Sequence, residues 1–288
     1  MLSRQKHGND TSFWDQRRER IFTRKGGWII GEAVYNHGYS MLDDLVGKVS
    51  FFQVLLLNVV GRLVERRLAE WLEALFICLS WPDARIWCNQ IGSLAGTMHA
   101  SPVAAVCAGS LASDSDLYGP GTLMKSANFI IGARKKYKQG MSVEAIVREQ
   151  QRNPRAKPII VGYARPVAKG DERVFAMRQV AERLGFDVGE HLELAMEIEK
   201  FIFEQFGETI NLAGYLTAFL CDQKFIPEEI YRFCSLMVNS GIHACYAEAA
   251  DQPPESFFPL HCEDVDYQGK TFRPVLEGKL IFPRESSL

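Results

Sequence analysis

From about residue 50 onward, apolar residues recur at three- and four-residue spacing between short polar breaks, a pattern that predicts a succession of helices. Ser50-Phe-Phe-Gln53 has the form of a capping box, in which the serine oxygen and the glutamine side chain satisfy free N–H groups at a helix start. The helix behind it runs to about Val60, and Gly61 stops it. Residues 63–80 repeat Leu68, Trp71, Leu72, Leu75 and Phe76 at helical spacing. Residues 86–113 are rich in Gly, Ala and Ser, and such small side chains predict a close helix–helix contact. A turn at Leu117-Tyr-Gly-Pro-Gly121 precedes a helix over about 122–136. Ser142 caps a further helix to Glu149, and 153–158 is a loop.

Residues 171–184 form a strongly amphipathic helix, with Val174, Met177, Val180, Ala181 and Leu184 on one face, Asp171 as its cap and Gly185 beyond its end. Further helices are predicted over 191–206 and over 210–221, the latter apolar nearly all round and therefore buried. Pro227-Glu-Glu229 opens a helix that is expected to run through Met237 to Ala250, before Pro253-Pro254. Ahead of residue 50, Trp28–Ile30 and Ala33–Tyr35 read as short extended pieces, and residues 1–25 as a charged N-terminal arm. The fold class is all-α.

Composition narrows the function classes. The 288 residues carry 33 basic and 35 acidic side chains, a net charge of −2, which gives no electrostatic case for nucleic acid or an anionic membrane. The start of the chain is polar, and the apolar stretch over 49–60 is broken and too short to cross a bilayer, so a cytoplasmic protein is expected. Seven scattered cysteines without a C-x-x-C read as reduced thiols, mostly buried, and the six histidines show no metal-ligand spacing with them, so the metal expectation is none. His99 and His243 stand in apolar contexts and read as satisfied buried or interface histidines. Dinucleotide, Walker, zinc-protease and serine-hydrolase signatures are not found in the sequence.

Four regions, in order, carry a resemblance. They are His37-Gly-Tyr through Phe52, the Leu117–Gly121 turn, the loop Val161-Gly-Tyr-Ala-Arg-Pro through Asp171-Glu-Arg173, and Ile210-Asn-Leu-Ala-Gly through Asp222. Together they resemble the citrate synthase/citryl-CoA lyase family over about residues 31–273. The length is closer to citryl-CoA lyases than to citrate synthases. In the third region Gly162, Tyr163, Pro166, Asp171 and Arg173 follow the family outline. The family's histidine position falls on Ala164 without a gap, or on Arg165 if Pro166 is aligned. Tyr118 replaces the histidine of the turn, and Ala213 occupies the family's catalytic-aspartate position.

The resemblance implies a citrate-synthase-like helical bundle, homodimeric, with the small-residue helices of 86–113 as interface candidates. Its large lobe would hold 26–150 and 211–288, its small lobe 151–210. It also implies no bound cofactor, but a coenzyme A thioester as substrate or ligand, together with a carboxylic (keto or hydroxy) acid. Such chemistry needs a base, an enolate-stabilising donor and a carboxylate clamp. By that carry-over Tyr118 and Arg165 are the candidate catalytic side chains. Arg173, Asn211 and Arg273 are the substrate-binding ones, since a guanidinium fork meets a carboxylate with two parallel N–H groups. Two readings follow: C–C bond formation or cleavage with non-standard residues, or a silent relative that binds a CoA ester or carboxylate as sensor or scaffold.

Overall fold

The computed structural model describes residues 10–165, 170–271 and 273, so Pro166 of the family-like loop lies outside the described residues. A short helix α1 (Ser12–Asp15) stands in an exposed N-terminal stretch. It is followed by a three-stranded antiparallel meander of β1 (Gly26–Ile29), β2 (Ala33–Asn36) and β3 (Tyr39–Ser40), in the order β1-β2-β3. The extended pieces expected there are thus paired with each other. The meander is tied down where Lys25 Nζ donates to the Asn58 carbonyl and Asn36 Nδ2 donates to Asn58 Oδ1 at 2.7 Å.

The remainder is helical: α2 (Phe51–Val60), α3 (Arg66–Leu79), α4 (Trp87–Thr97), α5 (Pro102–Ser113), α6 (Pro120–Lys138), α7 (Val143–Arg148), α8 (Glu172–Arg183), α9 (Glu190–Phe206), α10 (Leu212–Asp222), α11 (Pro227–Cys234) and α12 (Asn239–Ala250). Local chemistry explains most boundaries. Ser50 and Gln53 form the reciprocal capping box, at 3.3 and 3.0 Å, and Gly61 takes the left-handed conformation that ends α2. Ser142 Oγ accepts from Ala145 N–H at the start of α7.

The core is built around α10, where residues from Leu212 to Cys221, Ala213 excepted, are buried. Trp71 of α3 stacks on Phe219 with ring centroids 4.0 Å apart, and Met177, Ile198 and Ile202 close in from α8 and α9. All-round burial is what the unbroken apolar character of this stretch requires.

The small-residue segment is two helices rather than one run. Ser101 caps α5 and Pro102 starts it, where a missing N–H costs nothing. Its expected close contact is made within the chain. A Cβ added to Gly92 would lie 2.5 Å from the Ile242 carbonyl oxygen, and one added to Gly96 would lie 2.4 Å from that of Tyr246, so α4 and α12 touch nearly backbone to backbone.

One expectation is corrected and another narrowed. The helix predicted from Pro227 to Ala250 is interrupted at 235–238. The Ser235 hydroxyl bonds back to the Arg232 carbonyl, competing with the helical ladder, and the chain turns so that α12 meets α4 and α5 while α11 stays on α6. His99 and His243 are exposed in one chain, which excludes the buried reading and leaves the interface one. His99 sits in an exposed turn at φ 51°, and His243 lies on the outer face of α12. Among the described residues no helix is long and apolar enough to cross a membrane, and no group of three metal-ligating side chains is found.

Candidate active site

Asp171 organises the site. Its side chain is fully buried and serves as the N-cap of α8, accepting from Arg173 N–H at 3.2 Å. The same carboxylate accepts Nε and Nη2 of Arg173, each at 2.8 Å, in a fork-to-carboxylate pair. It also accepts the Leu212 N–H at 2.8 Å, the first residue of α10, and faces Arg165 Nη1 at 3.6 Å. Burial alone would push the Asp171 carboxyl up. The hydrogen bonds from Arg173 and Leu212 and the charges of Arg173 and Arg165 outweigh it, and the group is held below its ordinary value. One carboxylate therefore joins the starts of α8 and α10 to two guanidinium groups.

The loop after Ile160 is laced to the strand-like piece before α10. Asn211 N–H donates to the Gly162 carbonyl at 2.9 Å, Ala164 N–H to the Thr209 carbonyl at 2.8 Å, and Tyr163 and Ile210 form a β-bridge. Asn211 has two jobs. Its Oδ1 caps α10 by accepting from Ala213 and Gly214 N–H at 2.9 and 3.2 Å, and its Nδ2 donates to the Ala164 carbonyl at 2.7 Å. These bonds hold Ala164 at φ 70°, a left-handed conformation rare for a residue with a Cβ. Ala164 and Ala213 thus lie on either side of Asn211. Arg165, with 17% of its side chain exposed, also donates to Glu172 Oε2 at 3.0 Å.

Tyr118 approaches from the turn before α6. Gly119 has φ 85°, and a Cβ there would fall 1.8 Å from the Ser113 carbonyl oxygen, so only glycine permits the turn that presents Tyr118. The tyrosine ring packs edge-on against Trp87, centroids 6.2 Å apart. Burial pushes its phenol up to about 12, with the Cys88 thiol adding to the rise and the Arg173 charge opposing it. The opposing effect puts Tyr118 within electrostatic reach of Arg173. No hydrogen bond of the Tyr118 hydroxyl is found among the described residues.

Four of the six sequence-predicted residues therefore gather in one region, Arg165, Arg173, Asn211 and Ala213 through Asp171, while Tyr118 feels the Arg173 charge without a contact to it among the described residues. Arg273 is exposed in the C-terminal stretch, with no contact to this region among the described residues. Asp171 was legible as a helix cap, but its bond to Leu212 and its pairing with Arg165 were not. Glu172 and Cys78 were missed as neighbours; Cys78 of α3 is close enough for Arg173 and Asp171 to act on its thiol, which burial pushes up. The D-x-R spacing of Asp171 and Arg173 was the available signal for the ion pair. Two surface pockets, of about 290 and 380 Å³, lie elsewhere, and neither is lined by a residue of the cluster.

By sequence, no family model and no curated protein matches the chain. Solved structures do. The citryl-CoA lyase of Hydrogenobacter thermophilus superimposes with a TM-score of 0.74 at 27% identity, over 89% of this chain and 98% of that one. The ATP citrate lyase of Methanothrix soehngenii, solved with citrate and coenzyme A, gives 0.72 at 18% identity, over 93% of this chain and 44% of the longer one. A citrate synthase from Thermoplasma acidophilum, in complex with carboxymethyl coenzyme A and oxaloacetate, gives 0.58 at 17%, over 80% and 60%. At those identities the last two show the fold alone. With the lyase matched along nearly its whole length, the chain has the fold of the citrate synthase/citryl-CoA lyase family and is similar to its citryl-CoA lyase.

Proposed function

We propose that this chain binds a coenzyme A thioester and a carboxylic acid at the Asp171 cluster, and makes or cleaves a C–C bond between them with non-standard side chains. The observation that carries the reading is the pairing of Arg173 and Arg165 around buried Asp171, beside Tyr118 and Ala213, in the fold of a citryl-CoA lyase. Arg173 spends Nε and Nη2 on Asp171, and Nη1 has no partner among the described residues, so it can take a carboxylate oxygen of the acid. Arg165 supplies a second cation. Tyr118, a phenol kept neutral to about pH 12, remains a hydrogen-bond donor to a thioester or enolate oxygen across the whole physiological range. Asn211 fixes the backbone of Ala164 and Ala213.

A silent binder is the second reading, and a specific observation favours it. Ala213 carries no ionisable group, and Asp171 has both oxygens engaged and is held ionised, so it is a poor proton acceptor. In either case the functional unit is a cytoplasmic homodimer of a large lobe (26–150 and 211–288) and a small lobe (151–210). The outer face of α5 supports this: Val103 and Leu111 expose 71% and 79% of their surface and have no cover in one chain.

Two measurements decide. Calorimetric titration with a panel of CoA esters, with and without oxaloacetate or citrate, is expected to show micromolar binding that Arg173→Ala weakens by about tenfold or more, roughly 1.4 kcal/mol. No binding by any ester would end both readings. Purified protein in deuterated water is then incubated with acetyl- or propionyl-CoA. Solvent label at the α-carbon supports chemistry; binding without exchange, with exchange appearing only in Ala213→Asp, assigns the silent form.

A further inference from the structure

Joining an acyl-CoA to a ketone requires a carbanion beside the thioester, and forming one from a simple ester means removing a proton. Among the described residues of the cluster no side chain suits that task near neutral pH. Ala164 and Ala213, both half-buried, end in methyl groups. Asp171 has both oxygens taken, by Arg173 and by the Leu212 N–H. Glu172, the other carboxylate in contact, is exposed and donated to by Arg165; its own backbone N–H and that cation hold it below its ordinary value. Cys78 and Tyr118 feel the Arg173 charge but stay protonated, since burial pushes the thiol up and the phenol to about 12. The hydrogen bonds of His37, His99 and His191 go to Asn36, Gln252 and Asp222, away from the cluster. By sequence, Pro-Val-Ala-Lys at 166–169 adds no carboxylate or imidazole. The site is thus equipped with two cations and a neutral donor, which stabilise an enolate once it exists but do not create it.

We propose that the site takes a CoA thioester bearing a second carboxylate on its α-carbon, and generates the carbanion by loss of CO2 instead of a proton. This rests on the C–C bond-forming reading above and names its donor substrate. The bond from the α-carbon to the carboxylate carbon breaks, CO2 departs, and the electron pair left behind becomes the thioester enolate. The enolate α-carbon then attacks the keto carbon of the acceptor acid, and the carbonyl π pair moves to oxygen, which takes a proton from water. Ester, keto acid and one proton give a hydroxyacyl-CoA and CO2; nothing is oxidised or reduced, and CoA stays esterified. Without an acceptor the α-carbon takes the proton, leaving an acyl-CoA one carbon shorter.

The roles follow from which contacts strengthen towards the transition state. A guanidinium on the departing carboxylate would lose its partner as CO2 forms and so would slow the step. The free Nη1 of Arg173 therefore suits the acceptor's carboxylate, whose charge does not change. The departing group belongs on the side of Ala164 and Ala213, whose methyl groups offer it no hydrogen bond and favour its conversion to neutral CO2. Tyr118 donates to the thioester oxygen, where negative charge grows. An aspartate at 213 would repel the departing carboxylate, so alanine there selects the substrate. Towards simple acyl esters the same chain is silent.

The test gives the purified full chain malonyl-CoA or methylmalonyl-CoA, isotopically labelled in the free carboxyl group, with and without oxaloacetate. Mass spectrometry follows labelled CO2 and the CoA products. Release is expected to exceed that in buffer by on the order of 100-fold or more, with a hydroxyacyl-CoA adduct when oxaloacetate is present. Acetyl-CoA should exchange no α-proton with deuterated water. Tyr118→Phe should lower kcat for release by on the order of 100-fold while KM changes by less than about tenfold. Ala213→Asp should lose release and gain exchange with acetyl-CoA. Malonyl-CoA bound without release, release undiminished in Tyr118→Phe, or exchange of acetyl-CoA by the unaltered chain would each overturn the proposal while leaving CoA-ester binding at the cluster intact. Absence of binding by every ester in calorimetry would end that underlying reading, and the proposal with it.

Discussion

Replacing Asp171 by Asn tests whether one carboxylate holds the cluster together. Asn keeps the shape and one acceptor for the Leu212 N–H, but it removes the charge that two guanidinium groups face. Breaking a buried ion pair by deleting one partner costs ~3–5 kcal/mol. Arg173 and Arg165 retain 28% and 17% side-chain exposure, so water recovers part of that cost. A loss of about 2–3 kcal/mol is therefore expected, which at the entropy of unfolding of a chain this size lowers Tm by roughly 5 °C. Urea unfolding followed by far-UV circular dichroism measures it, with the m-value as a check that the denatured state is unchanged. Arg173→Gln provides a double-mutant cycle: the paired substitutions should cost about 1–2 kcal/mol less than the sum of the singles, because each alone strands a partner. A loss below about 0.5 kcal/mol for Asp171→Asn, or strict additivity with Arg173→Gln, would refute the description of Asp171 as the joint between α8 and α10.

Other expectations follow from the same geometry. Because the folded state holds the Asp171 carboxyl below its usual value near 3.8, its ionised form contributes stability above that pH and loses it as pH falls further; the wild-type chain should show an acid limb below about pH 4 that is shallower in Asp171→Asn. Tyr118 works in the opposite sense. Its phenol is raised to about 12, so its contribution is complete below about pH 10 and is lost between there and pH 12, and Tyr118→Phe should remove one late-ionising tyrosine from a 295 nm absorbance titration. Gly119→Ala should destabilise by about 3 kcal/mol or more, seen as a lowered urea midpoint, since both the φ of 85° and the 1.8 Å approach to Ser113 forbid a methyl group; an unchanged midpoint would mean the turn has another shape.

What the sequence made legible was what is encoded locally. The Ser50–Gln53 capping box, the Ser142 cap and the Asp171 cap each involve residues within three positions, and each is present as read. The apolar run of α10 announced its own burial, since a helix without a polar face has nowhere else to go. The break at 235–238 was not legible, because α12 turns away to meet helices that are far back in the chain. His243 is exposed beside the fully buried Ile242, and periodicity alone does not say which of the two faces inward. At the site, the residue types of the cluster were visible as family positions. The bond from Leu212 N–H to Asp171 crosses 41 residues, and no local pattern records it.

The glycine seam between α4 and α12 bears on how the chain is made. Ser93 and the Cys245 carbonyl it bonds are 152 residues apart. At ribosomal speeds of about 5–20 residues per second, α4 waits roughly 8 to 30 s for its partner to emerge. During that interval its bare glycine face is open to any other helix nearby, including one from a neighbouring nascent chain. Correct assembly of this half of the molecule therefore depends on α12 arriving before a competitor does, and yield in the cell should be more sensitive to translation rate and to holding chaperones than the equilibrium stability would suggest.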